Sequence, residues 1–325
     1  MKKRITKNYL NRLEPELMRE LATSFPFLER FRKQVAVEMG KNKRAEITFL
    51  LGRILQAPPS ALVDIAVAVE IIHLATLIHD DVIDGGSLRR NRPSLQVRQG
   101  IPPAILYGDL LFSRGISRVN RLGRRELTEL LLKTVEDLCA GEILECQLAR
   151  RFPWTENEYL EAADLKTASL FRYCCRAPGM LAGLSRRRLA VLDDFGSKLG
   201  ICYQIVDDCL DFVSIAKEIG KDTLADLKNG VPNLPLVLAG RKRGLTGELK
   251  RVINEASKGK VPDRLERMIR EKGFVREALD RARNYLDSAR RKGTEISGWI
   301  KGLSPTLLEE YLAGRYGEID RLDAQ

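Results

Sequence analysis

The chain is poor in aromatic residues and histidine and has no uninterrupted apolar run. Aromatics make up 6% of the 325 positions, and there are two tryptophans and two histidines. Alternating strand-like segments are nearly absent, while Ala, Leu, Ile, Arg and Glu abound. A β-sandwich or barrel is therefore excluded and an all-α fold is expected. None of the six cysteines stands in a Cys-x-x-Cys pair, which excludes a zinc ribbon and a thioredoxin-type site. Cys139 and Cys146, and Cys202 and Cys209, lie two helical turns apart and are predicted to be small core residues in a reducing cytoplasm. The longest apolar stretch, 61–78, is broken by Asp64, Glu70 and His73, which argues against a membrane span. The basic N-terminus, MKKRITKNYLNRLEPE, has no apolar segment behind it, so no signal peptide is expected. A P-loop and a G-x-G-x-x-G motif are both missing, which argues against nucleotide chemistry.

What is present is helix-forming and basic. At 44% hydrophobic residues there is enough apolar material for one large core. The 55 basic against 44 acidic residues leave a net charge of +11, which suits an anionic partner. A phosphorylated substrate, an anionic membrane face or a nucleic acid would each answer. No recognised DNA- or RNA-binding motif is present, so no nucleic-acid partner is expected. Apolar spacing and breaker residues predict helices over about 60–84, 107–122, 126–150, from Thr155 to an end or kink near Pro178, and over 186–213. The segment 217–235 reads as a loop, and the last ninety residues as basic amphipathic helices. With no repeat and no long linker, 1–325 is expected to form a single domain.

Two acidic motifs carry the chemistry. In HLATLIHDDVID, Asp80 and Asp84 are one helical turn apart with Asp81 beside them, and His73 and Thr76 share their face. Two charges at ~4 Å repel by about 1 kcal/mol in water and several-fold more near protein. A divalent cation resolves that crowding, and oxygen-only ligands point to Mg²⁺ completed by water and substrate phosphate. The bland alternative is a helix end rich in solvated acids. YQIVDDCLDF repeats the pattern with Asp207, Asp208 and Asp211 after a second apolar helical run, which favours the metal reading.

Further motifs appear in order: LRR at 88–90, GDLL at 108–111, GE at 141–142, LKTASLF at 165–171, and GKDTLADLKNGVPNLPL after the second acidic motif. With these the chain resembles the trans-isoprenyl diphosphate synthases, or polyprenyl synthetases, over roughly 40–240. The resemblance implies an all-α, single-domain helical bundle around a deep central cavity, the isoprenoid synthase type I fold, with C-terminal helices over 241–325. It implies a prenyltransferase that joins an allylic diphosphate to isopentenyl diphosphate and releases pyrophosphate. Several Mg²⁺ ions would be held by Asp80, Asp84 and Asp207, with Asp81, Asp208 and Asp211 as further ligands or their supports. Arg89, Lys166 and Lys221 would hold the allylic diphosphate. Lys41, Arg44, His73 and Arg90 would hold isopentenyl diphosphate without metal. Oxygens of Lys166, Thr167 and Gln204 would face the allylic cation. No histidine lies in the second half of the chain, which fits a proton leaving with pyrophosphate.

The chain departs from that pattern in places. Asn42 and Ala45 stand where the family has a cation and a proline, and Glu145 where it often has glutamine. Gly85 and Gly86 are expected to loosen the loop after the first motif. Ala75 and Thr76, at the positions where bulky aromatics close the product tunnel early, imply a product longer than farnesyl: geranylgeranyl or long-chain polyprenyl diphosphate. The alternative is that small residues there serve helix packing. The resemblance also implies a homodimer; the cysteine usage points to the cytoplasm, and a long apolar product with a basic surface points to an anionic bilayer for product release. A class I terpene cyclase and a non-catalytic partner subunit are the competing readings. The second DDxxD argues against the first, and the intact aspartates against the second.

Overall fold

The computed structural model describes residues 2–22, 24–37, 39–40, 42–149, 151–212, 229–256, 263–299 and 306–324. Lys41 and Lys221 therefore lie outside the described residues, as does most of the expected loop at 217–235. The fold is all-α, with one two-residue hairpin among the described residues. It divides into two compact units.

The first unit comprises 1–134, 172–193 and 294–310. Its helices include α1 (Lys2–Leu21), α2 (Glu29–Ala36), α3 (Lys43–Ile54), α4 (Pro59–Ile83), α5 (Leu95–Gln99) and α6 (Ile101–Asn120). α4 is its axis. It is long and apolar enough to cross a membrane by length and composition, and 67% of that apolar window is buried inside the protein. Leu13, Leu17 and Leu21 of α1 and Tyr107 and Leu111 of α6 pack with Ile71, Leu74, Ala75 and Ile78 of α4 in one core. The two acids that interrupt the α4 run, Asp64 and Glu70, both find partners. Asp64 accepts from Arg118 at 2.8 Å, and that guanidinium, 8% exposed, also meets Glu16 at 2.8 Å and Glu20 at 2.7 Å. A buried guanidinium among three carboxylates ties α1, α4 and α6 together.

Ala68, Ile72, Ala75 and His79 recur at helical spacing on one face of α4. That stripe meets α6 closely. A Cβ on Gly115 would stand 2.8 Å from Ile72 Cγ1 and 3.1 Å from the Ala68 carbonyl, and one on Gly108 would overlap the His79 ring. Ala75 is fully buried within this contact, which favours the packing reading of its small size. Ala75→Phe is expected to destabilise the protein by ~1–3 kcal/mol through overpacking, read as a lower melting temperature.

The second unit comprises 135–171, 194–293 and 311–325. α7 (Arg125–Leu148), which begins in the first unit, and α8 (Glu156–Ala163) precede a π-helical turn at Asp164–Ala168, which continues as α9 (Ser169–Leu181), whose residues from 172 on belong to the first unit. α10 (Arg186–Leu210) ends in the second acidic motif. α11 (Leu234–Gly240), α12 (Thr246–Ala256), α13 (Asp263–Glu271), α14 (Phe274–Ser297) and α15 (Thr306–Asp323) complete the described elements.

Local chemistry explains the boundaries. Thr155 and Glu158 form a reciprocal capping box at the start of α8. α9 continues through Pro178 and ends at Leu181, with Cys174, Cys175 and Ala177 fully buried and holding the helix by packing. The expected loop ends two residues early, because Asn233 caps α11 by accepting from the Leu236 N–H at 3.2 Å and Pro235 fits the first helical turn. Cys202 and Cys209 are buried as expected, but Cys139 and Cys146 are exposed. They share the outward face of α7 with Leu132 and Ile143.

Candidate active site

In the first unit, α4 ends at the first acidic motif with Gly85 in the left-handed region at φ 65°. The following loop is tied down rather than loose. The Gly86 carbonyl accepts from Ser94 Oγ at 2.7 Å and from Gln96 Nε2 at 2.8 Å, and Gln96 also reaches the Asp81 carbonyl. Between these anchors, strands β1 (Leu88–Arg89) and β2 (Arg92–Pro93) form a hairpin whose two turn residues, Arg90 and Asn91, have φ of 50° and 60°. That left-handed pair is the tight-hairpin geometry. It separates the two adjacent arginines. Arg89 Nε lies 3.2 Å from Asp81 Oδ2, while Arg90 donates to the Met39 carbonyl, close to Gly40.

Asp80 is half-buried, Asp81 is 13% exposed and Asp84 is exposed. Burial pushes the Asp81 carboxyl up to about 6; Arg89 opposes that shift and Asp84 adds to it. The donors are oxygen only, which suits a hard divalent cation. Among the described residues no group of three or more His, Cys, Asp or Glu is arranged to hold a metal ion by itself. An ion here would take its remaining ligands from water or phosphate.

Beside these acids stand the cations. Burial, together with the charges of Arg44, Arg89 and Arg90, holds the His73 imidazole well below its usual pKa and therefore neutral at pH 7. Guanidiniums whose charges act on one neutral imidazole are chemistry suited to a polyanion. Glu70, buried one turn before His73, accepts the Ala45 N–H at 2.8 Å in the first turn of α3 and lies close to Arg44. The departure at Ala45 thus supplies a backbone donor that proline lacks. Asn42 starts α3 in the left-handed conformation, which asparagine tolerates better than a long cationic side chain. His79 is structural, with Nε2 3.0 Å from the Ile105 carbonyl and 3.5 Å from Asp109. Thr76 is half-buried and its hydroxyl donates to the His73 carbonyl at 2.8 Å.

In the second unit, the π-helical turn presents Lys166 and Thr167. Two glycines let neighbouring helices press against it. A Cβ on Gly141 of α7 would stand 2.8 Å from Lys166 Cα, and one on Gly200 of α10 would stand 2.5 Å from Ala168 Cα. Such π-turns recur at functional sites because they re-aim side chains. Lys166 Nζ meets Glu142 Oε2 at 2.8 Å and also bridges to Glu145. Thr167 donates to Gln204 Oε1, Gln204 Nε2 donates to Asp208 Oδ1 at 2.9 Å, and Asp208 Oδ2 accepts the Leu234 N–H at 3.0 Å. Asp208 is 3% exposed and orients Gln204, whereas Asp207 is exposed and Asp211 half-buried. Phe171 stacks on Tyr203 at 4.7 Å.

A profile of the polyprenyl synthetase family matches residues 26–271. The chain belongs to the polyprenyl synthetase family. It is 36% identical over 204 residues to a short chain isoprenyl diphosphate synthase of Methanothermobacter thermautotrophicus, covering 62% of this chain and 63% of that one. That match spans less than two thirds of either protein. Heptaprenyl diphosphate synthase component 2 of Geobacillus stearothermophilus is 34% identical over 227 residues, 70% of this chain and 71% of its own. A solved structure of polyprenyl synthase from Caulobacter crescentus, complexed with calcium and isoprenyl diphosphate, is similar with a TM-score of 0.84 at 26% identity over 90% of both chains. Polyprenyl synthetases are transferases, generally metal-dependent, with diphosphate substrates.

The sequence named the acids, the arginines and Lys166 as candidates. It treated Glu70 only as an interruption of an apolar run and gave Glu142 no partner. The signal for Glu70 was an acid within a long apolar stretch, which requires a partner from another element.

Proposed function

We propose that the protein is a chain-elongating prenyltransferase. It joins isopentenyl diphosphate to an allylic prenyl diphosphate, releases pyrophosphate, and makes a product longer than farnesyl diphosphate. One observation carries this reading: α4 ends in Asp80, Asp81 and Asp84, and in the same unit the charges of Arg44, Arg89 and Arg90 all act on His73 of that helix. Acids that suit hard cations therefore lie on the same helix as a metal-free receptor for phosphate.

By resemblance, Asp80 and Asp84 in the first motif and Asp207 in the second would hold Mg²⁺, with Asp81, Asp208 and Asp211 as further ligands or supports. When bound, Mg²⁺ supplies the positive charge that stabilises departing pyrophosphate. Arg89 and Lys166 hold the allylic diphosphate, and Arg44, Arg90 and His73 hold isopentenyl diphosphate. His73 does so as a neutral donor. Lys41 and Lys221 join these two sets by resemblance. Gln204, its amide oriented by Asp208 and Thr167, offers Oε1 beside the cation that forms at the allylic carbon. The proton lost by isopentenyl diphosphate leaves with pyrophosphate.

The test is incubation of the purified chain with Mg²⁺, isopentenyl diphosphate and farnesyl or geranylgeranyl diphosphate, followed by chain-length analysis. Longer prenyl diphosphates support the reading; hydrocarbon or alcohol formed without isopentenyl diphosphate indicates a cyclase. A heteromeric reading is favoured by one relative's being component 2 of a heptaprenyl synthase. It requires the chain alone to be inactive. Thr76→Phe tests the tunnel, since Thr76 is half-buried while Ala75 is sealed by packing. The product is expected to shorten towards farnesyl; an unchanged profile contradicts the tunnel assignment.

A further inference from the structure

Lys166 carries more negative charge around it than a phosphate-binding lysine needs. Its ammonium meets Glu142 Oε2 at 2.8 Å and also the Glu145 carboxylate. The three side chains are 22%, 17% and 16% exposed, so water screens the cluster only in part. Glu142 and Glu145 are three residues apart on α7 and share a face. One positive and two negative charges leave the trio at −1. The backbone that presents Lys166 is fixed, because Gly141 brings α7 against the Leu165–Lys166 peptide. The flexible part is the lysine side chain.

We propose that Glu145 is a specificity-determining residue that competes with the allylic diphosphate for the Lys166 ammonium. This rests on the assignment of Lys166 to that diphosphate. Glu142 suffices to orient the lysine, and the second carboxylate sets how readily the ammonium turns from α7 to an incoming polyanion. The effect falls on the substrate that uses Lys166 and spares the one held by Arg44, Arg90 and His73.

Steady-state kinetics of the full chain with Mg²⁺, farnesyl diphosphate and isopentenyl diphosphate test this, using Glu145→Gln with Glu145→Ala as the second variant. Both are expected to lower the KM for farnesyl diphosphate roughly five-fold, the scale of one partly screened charge pair, while the KM for isopentenyl diphosphate stays within two-fold. A farnesyl KM that rises shows that Glu145 aligns Lys166 for binding and overturns the proposal, as does an unchanged value. Calorimetric titration with inorganic pyrophosphate and Mg²⁺ separates this test from the proposed function. If the wild-type chain elongates nothing, the function fails. Tighter pyrophosphate binding by Glu145→Gln then still supports the competition, and equal or weaker binding overturns it.

Discussion

Replacing Asp80 and Asp84 together by alanine is expected to lower turnover by roughly 10³-fold or more, with little change in melting temperature. Both residues lie at the C-terminal end of α4, where Asp80 is half-buried and Asp84 exposed. Carboxylates there face the negative end of the helix dipole and one another. Their removal relieves repulsion and opens no core cavity. The predicted separation of activity from stability is the mark of residues kept for chemistry. Steady-state rates and a thermal melt on the same preparation check it. Full turnover by the double variant would remove the metal assignment.

The second large effect is expected from Gly141→Ala, a change outside the acidic motifs. Its Cβ would stand 2.8 Å from Lys166 Cα and 2.9 Å from the Leu165 carbonyl carbon. These are backbone atoms and cannot step aside as a side chain does. Either α7 moves away or the π-turn shifts, and both displace Lys166 and Thr167. Stability is expected to fall by ~2–3 kcal/mol and kcat/KM by about 10²-fold, the usual cost of moving a positioned group by about 1 Å. Gly247→Ala is the control, since a Cβ at that exposed position of α12 meets nothing within 4 Å. It is expected to leave both quantities unchanged. Equal behaviour of the two variants would show that the π-turn does not depend on the close approach of α7.

These residues show what one sequence reveals. The long helices were legible because apolar residues recur at helical spacing over many turns, and the start at Thr155 follows capping chemistry; the Asn233 cap was hidden inside a stretch rich in loop residues. The acidic motifs were legible because four-residue spacing puts carboxylates on one face. The π-turn was not, since one extra residue in a helical turn leaves no compositional trace. The exposure of Cys139 and Cys146 was also hidden, because spacing shows that two residues share a face but not whether that face is buried. Ala75 and Thr76 looked equivalent as small neighbours in sequence. One helical step of rotation separates a residue sealed against α6 from one that is half-buried. Glu70 and Glu142 acquire roles only through partners on other elements, the Ala45 N–H and Lys166.

The central proposal is that each acidic motif is needed for metal-dependent diphosphate binding. Calorimetric titration of inorganic pyrophosphate into the wild-type chain, Asp80→Ala and Asp207→Ala, each with and without Mg²⁺, tests it most directly. The account predicts Mg²⁺-dependent binding by the wild type that is lost or sharply weakened in each variant alone. Binding that needs no Mg²⁺, or that survives intact in either variant, would contradict it.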